Sequence, residues 1–234
     1  MSTYALIPGA WHGAWCWARV APLLTAAGHR VVAVDLPCED ATAGCAAYRD
    51  VVLDAIGGED ADLIVVGHSA GGLTAPLVAR AAAQPVRRLA FVCALLPLPG
   101  RAFAEQNAAE RILEQEYQAG VQTDDAGLRR WVDADVCART MYAGCAPEDV
   151  AWAFGQLRPQ ASTMYTETSP LDVWPGDAPI LDIRGDRDRL VSPAWAAQAV
   201  PRRLGVEPAV IAGSGHSPML SHPRELAALL LAAA

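Results

Sequence analysis

The chain contains no lysine; arginine supplies all 18 of its basic residues. A lysine Schiff base, a Walker-type phosphate lysine and a Ser-Lys dyad are thereby excluded. Basic charge is also outweighed by 26 acidic residues, for a net charge of −8, and no basic tract is present. Nucleic acid and an anionic membrane surface are therefore not expected as partners. No apolar run approaches the roughly 20 residues that a membrane helix needs; the longest is Leu226 to Ala234. Met1 to Pro8 holds neither a basic segment nor an apolar stretch leading to a cleavage site, so no secretory leader is expected and the reading is cytoplasmic. Six cysteines (Cys16, Cys38, Cys45, Cys93, Cys137, Cys145) form no CxxC pair, so reduced thiols are expected. There is no H-E-x-x-H and no ligand-spaced Cys/His cluster, so no metal is expected. No G-x-G-x-x-G or P-loop follows a strand, so no cofactor is expected either.

What the chain does have is apolar residues. Of 234 residues, 53% are hydrophobic and 19% charged, which suits one domain with a sizeable core and not a disordered chain. Short apolar runs recur at Tyr4–Ile7, Val31–Val34, Leu63–Val66 and Leu89–Cys93, each stopped by a turn signal. Between them lie helical stretches, such as the one in which Tyr48, Val51, Val52, Ala55 and Ile56 share a face. Continuously apolar strands alternating with helices predict a mostly parallel sheet with helices on both faces. From Pro97 to Pro175 the alternation stops and three helices are expected, over Phe103–Gln118, Asp125–Cys137 and Pro147–Leu157. It resumes with strands at Ile180–Ile183 and Pro208–Ile211, a helix from Pro193, and a final helix from Pro223 to the C-terminus. The expected organisation is an α/β core over 1–96 and 176–234, six strands in all, with a helical lid inserted at 97–175.

Gly67-His68-Ser69-Ala70-Gly71 fits G-x-S-x-G at the end of one of these strands and the start of a helix. That context turns a short pattern into a candidate nucleophile elbow. A sharp turn would raise Ser69 at strained dihedrals, with glycines two residues to either side avoiding clashes. Such a serine needs a base. Of the five histidines, His68 lies inside the elbow, His29 in an Arg-bearing turn, His222 at the start of the last helix and His12 in the first loop. His216 follows the last strand, at the carboxyl edge where open parallel sheets place their ligand site, and it is the candidate base. Asp186 and Asp188 follow strand Ile180–Ile183 on the same edge, and either is placed to orient the imidazole. The order Ser, Asp, His is that of an α/β-hydrolase. Trp11, Trp15 and Trp17 flank the first loop. Core packing is the ordinary role for such residues, with Trp11 the candidate for substrate contact.

The first-loop string Ala5-Leu6-Ile7-Pro8-Gly9-Ala10-Trp11-His12-Gly13-Ala14-Trp15-Cys16-Trp17 resembles that of the α/β-hydrolases comprising plant methyl esterases, hydroxynitrile lyases and pyrethroid-type esterases. Val31 to Leu36, the elbow, Gly185 to Val191 and Gly215-His216 follow in the same order. The resemblance covers roughly 160 residues of core, and the segment from Pro97 to Pro175 has no part in it. It implies the α/β-hydrolase fold. The acid in that group stands three residues after the loop glycine, which implies Asp188. It further implies an oxyanion hole from the backbone N–H groups of Ala10 and Ala70. Pro8 stands where the group usually has histidine.

These residues together describe a hydrolase for a small, largely apolar ester or thioester. Ser69 would be nucleophile, His216 base and then acid, and Asp188 the orienting carboxylate. Acyl transfer by a thioesterase or cyclase is one alternative, cyanohydrin cleavage a second, and a non-enzymatic binding protein of the same fold a third. The lyases of the resembled group use a threonine in the first loop and a lysine after the catalytic histidine. Those positions hold Gly9 and Ser217 here, which disfavours cyanohydrin cleavage. The oligomeric state is left open, a homodimer included.

Overall fold

The structure is a computed structural model that describes residues 1–58, 61–176 and 178–232. The elements run β1 (Ser2–Ile7), α1 (Ala21–Ala26), β2 (Arg30–Ala33), α2 (Cys45–Ile56), β3 (Asp62–His68), α3 (Gly71–Ala81), β4 (Val86–Val92) and α4 (Phe103–Glu110). They continue with β5 (Val121–Thr123), β6 (Arg129–Trp131), α5 (Ala134–Thr140), α6 (Pro147–Gln156) and α7 (Thr163–Thr166). The chain closes with β7 (Ile180–Gly185), α8 (Pro193–Leu204), β8 (Ala209–Ile211), α9 (Pro218–Ser221) and α10 (Pro223–Ala232). The final helix was expected to run to residue 234, but 233 and 234 lie outside the described residues.

Six strands form one sheet in the order β2-β1-β3-β4-β7-β8, and every pairing in it is parallel. This is the α/β-hydrolase arrangement read from the sequence. The strands β1, β3 and β4 each carry an apolar run, Tyr4–Ile7, Leu63–Val66 and Leu89–Val92, because helices cover both faces. Tyr4, Ile64, Val65, Leu89 and Phe91 are completely buried. From β1 the chain steps outward to β2 and returns to β3 on the other flank of β1. That reversal opens a crevice at the carboxyl ends of β1 and β3, where connections depart to opposite sides. Ile7 of β1 sits beside Gly67 of β3 in the register, so the first loop and the G-x-S-x-G turn emerge side by side.

Asp182 and Arg184 of β7 are also buried. Arg184 donates to both carboxylate oxygens of Asp182 at 2.7 Å and to the Ala94 carbonyl at 2.9 Å. The pair satisfies itself inside the sheet, which is what makes two charges tolerable there. All six cysteines are free thiols, five of them buried.

The inserted segment differs from expectation in two places. The helix expected over Phe103–Gln118 stops at Glu110, because Arg111 turns left-handed (φ 54°). The Asn107 side chain takes the next free amide, Leu113 N–H, at 2.9 Å. Beyond that point Glu114 N–H and the Ile112 carbonyl bond across to Leu190 and Ser192 of the loop after β7. The helix expected over Asp125–Cys137 is instead a small antiparallel hairpin, β5 with β6, followed by the short α5. Gly127 takes φ 79° in its turn, and Arg129 exchanges two 2.9 Å backbone bonds with Gln160. Both departures follow from partners distant in sequence, which outcompete local helical spacing.

Candidate active site

Ser69 sits between β3 and α3 with φ 50°, a left-handed conformation that a non-glycine residue adopts only when its surroundings impose it. The imposing contacts are visible. Ser69 N–H donates to the Val92 carbonyl at 3.1 Å, and the Ser69 carbonyl accepts from Gly72 and Leu95 at 3.0 and 2.9 Å. A side chain at Gly71 would meet the Pro8 carbonyl oxygen at 2.7 Å, so only glycine lets the first loop lie against the elbow.

The His216 imidazole joins the loops. Its Nε2 lies 2.9 Å from Ser69 Oγ and its Nδ1 2.9 Å from Asp188 Oδ2. A carboxylate can only accept, so Nδ1–H donates to Asp188 and Nε2 is left to accept the serine hydroxyl. The other oxygen of Asp188 accepts from the Leu190 and Val191 amides at 2.8 and 3.0 Å. All three side chains are buried. This is the hydrogen-bond geometry of a Ser-His-Asp triad. Asp186, the alternative acid, is exposed and accepts from Gly213 N–H at 2.7 Å, bracing the loop that leads to the histidine. Cys93, Asp188 and His216 bring three potential metal-ligand atoms within 4.8 Å of one another. Burial holds the Cys93 thiol protonated, and His216 Nδ1 is committed to the carboxylate.

The other histidines have their own work. His68 Nε2 donates to the His216 backbone carbonyl at 3.0 Å, steadying the base from behind. His29 accepts from Ser2 N–H at 3.3 Å, half-buried and not merely solvated. His222 shares a 2.9 Å bond with Ser221 Oγ. His12 Nδ1 donates to the Ala10 carbonyl at 2.8 Å, which leaves its Nε2 to accept from Tyr142 O–H at 3.0 Å. The inserted segment thus holds the first loop through Tyr142 and His12. Burial lowers the His12 pKa from 6.5 to about 4, so the ring is neutral at pH 7. With the folded value below the unfolded one, the unfolded chain binds the extra proton. This group therefore makes the fold less stable as pH falls from 6.5 towards 4. Tyr142→Phe leaves His12 Nε2 buried without a donor and is expected to cost about 1–3 kcal/mol. A lowered urea midpoint at unchanged slope is the measurement, and an unmoved midpoint would refute the relay.

Ser69 opens into a cavity of about 220 Å³ lined also by Ala10, Trp11, Ala70, Leu95, Phe103, Tyr117, Arg129 and Tyr165. Among the described residues, neither the Ala10 nor the Ala70 amide donates to another protein group. Trp11 takes φ 63°, and the inserted segment clamps it. Its amide donates to Gln160 Oε1 at 3.3 Å and its indole N–H to the Arg129 carbonyl at 3.0 Å. Trp17 is core, whereas Trp15 lies edge-on to Trp152. Of the apolar residues of the insertion, Ala104, Leu113 and Tyr117 line the cavity, while Val132 and Trp152 are exposed. Arg129, Asn107 and Gln160 gave no signal in sequence. Each is an ordinary polar residue that long-range contacts bring to the site.

The sequence model of the family described as "Alpha/beta hydrolase family" matches residues 5–229. The chain belongs to the alpha/beta hydrolase family. Among curated relatives, this hydrolase is 28% identical to methylesterase 2 of Arabidopsis thaliana, over 99% of this chain and 95% of that one. It is also 28% identical to esterase PIR7B of Oryza sativa subsp. japonica, over 97% and 94%. The solved structure of polyneuridine aldehyde esterase superposes with a TM-score of 0.84 at 22% identity, covering 99% of this chain and 98% of that one. The relatives are of the group that the first-loop motif resembles, and the hydrolase spans nearly their full length.

Proposed function

We propose that this hydrolase cleaves a small, largely apolar carboxylic ester through an acyl-enzyme. The observation that carries the reading is the His216 ring, 2.9 Å from both Ser69 Oγ and Asp188 Oδ2, with Ser69 itself at the wall of a mostly apolar cavity. Ser69 Oγ attacks the ester carbonyl as its proton passes to His216 Nε2. The carbonyl oxygen becomes an oxyanion held by the Ala10 and Ala70 amides, and Asp188 stabilises the imidazolium. Collapse expels the alcohol, which takes the proton from His216. Water, deprotonated by the same ring, then releases the acid and restores Ser69. The curated relatives named as esterases support this reading. Segment 97–175 acts as a lid in it, since residues of the segment form much of the cavity wall and Trp11 lines the cavity as a substrate contact. The six free thiols accord with a cytoplasmic location.

One observation sets this activity against cyanohydrin cleavage. A side chain at Gly9 would meet Ser69 Cβ at 2.7 Å, so the first loop has no room for a hydroxyl-bearing residue there. Ser217, at the position of the lyase lysine, donates to the Met141 carbonyl at 2.8 Å and carries no charge. The test offers a p-nitrophenyl ester and mandelonitrile to one preparation. Ester turnover without cyanide release is expected, and rapid cyanide release dependent on Ser69 would overturn the reading.

A further inference from the structure

Most of the cavity that opens on Ser69 is apolar or hydroxyl-bearing, but one wall carries a cation. The Arg129 guanidinium lies 5.8 Å from the Trp11 ring centre and 5.6 Å from that of Tyr117, between two rings that are themselves in edge contact. It has no carboxylate partner among the described residues. Other arginines of the chain do have one. Arg130 bonds Asp124 at 2.8 Å, Arg158 bonds Glu39 at 2.5 Å, and the wholly buried Arg184 bonds Asp182 at 2.7 Å.

Arg129 is half-buried, and the ring faces return only part of the solvation that its head gives up there. Its backbone is also anchored: Arg129 N–H and C=O both pair with Gln160, and its carbonyl takes the Trp11 indole N–H as well. The ring contacts place the head on this anchored backbone, which lowers the side-chain freedom a ligand would cost in meeting it. Ser162, Thr166 and Tyr165 also line the cavity. Burial keeps the Tyr165 phenol protonated and able to donate. With the chain at −8 overall, long-range attraction of anions is not the explanation. The positive charge is local to the cavity.

We infer that Arg129 binds an anionic group of the substrate, and that the ester cleaved by Ser69 carries a carboxylate, as in the half-ester of a small dicarboxylic acid. The inference rests on the hydrolase reading above and adds the chemistry of the substrate's far end. The reacting ester lies at Ser69 and the spectator carboxylate takes the fork of the guanidinium.

The test uses monomethyl and dimethyl esters of the straight-chain dicarboxylic acids from succinic to pimelic. Calorimetric binding to Ser69→Ala protein reads the site without turnover. Half-esters are expected to bind more tightly than diesters, with a best chain length set by the fixed position of Arg129. Arg129→Met should weaken half-ester binding by about tenfold or more, and Arg129→Lys, which keeps the charge, should restore part of it. Melting curves of each variant establish that it is folded. Equal binding of half-ester and diester, or a half-ester preference that Arg129→Met leaves intact, overturns the inference. In the active enzyme, the ratio of kcat/KM for half-ester over diester should fall in Arg129→Met. Hydrolysis of p-nitrophenyl esters with no half-ester preference would refute this inference and leave the hydrolase reading in place. Half-ester binding that depends on Arg129, without turnover of any ester, would uphold the site and refute the hydrolase.

Discussion

Ser69→Ala is expected to lower ester turnover by about six orders of magnitude, the loss seen when a triad nucleophile is removed elsewhere. Among the described residues, no other hydroxyl or thiol bonds His216 Nε2. Cys93, whose sulfur lies within 4.8 Å of the triad's Asp188 and His216, is buried and held protonated by that burial. Labelling by a fluorophosphonate probe should vanish in the same variant, and labelling that survives would refute Ser69 as nucleophile. The fold should not suffer. Ser69 occupies φ 50°, which alanine reaches at similar cost and glycine reaches more easily. Ser69→Gly is thus expected to be as inactive as the alanine variant and at least as resistant to urea. A stability loss in the glycine variant would mean that the Oγ–His216 hydrogen bond matters more to the fold than the backbone strain.

The second large effect is expected at the acid. Asp188→Asn should reduce kcat by about four orders of magnitude. An asparagine keeps one acceptor oxygen, and the Leu190 and Val191 amides, which Asp188 Oδ1 now satisfies, would claim it. Its NH2 would then face His216, forcing Nδ1 to accept and moving the ring proton to Nε2. An imidazole protonated at Nε2 cannot receive the serine proton. Asp186→Asn should cost less than about tenfold, because the exposed side chain keeps an acceptor for Gly213 N–H and touches no reacting atom. Measured kcat for the two variants, side by side with their melting temperatures, decides the matter. The reverse ranking would mean that Asp186 takes the role in solution.

How much could be read from sequence varied with how local the cause was. Strands Tyr4–Ile7 and Leu63–Val66 and the turn at Ser69 were legible because each is a short apolar run meeting a glycine-bounded turn, and both signals reside in adjacent residues. The two aspartates after β7 were not separable by pattern. They stand two residues apart on one loop with arginines around both, and only the path of the loop turns Asp188 inward and Asp186 to solvent. The resemblance to known hydrolases favoured Asp188 through its spacing from Gly185, which is information from other chains.

The inserted segment marks the limit. Residues 121–123 and 129–131 form strands too short to show a period of two, and Asp124 and Gly127 between them are only a brief local hint of a hairpin. Helical spacing looked equally good there until Gln160, some thirty residues on, took both backbone groups of Arg129. By itself the sequence determined the parallel sheet, the elbow and the histidine beside it, because burial pattern and turn chemistry act between neighbours. The tertiary structure alone decided which aspartate meets His216, that His12 and Tyr142 clamp the first loop, and that a guanidinium faces the cavity. Each of those depends on side chains up to 130 residues apart arriving at one place, and such proximity is a property of the packed chain that no local pattern encodes.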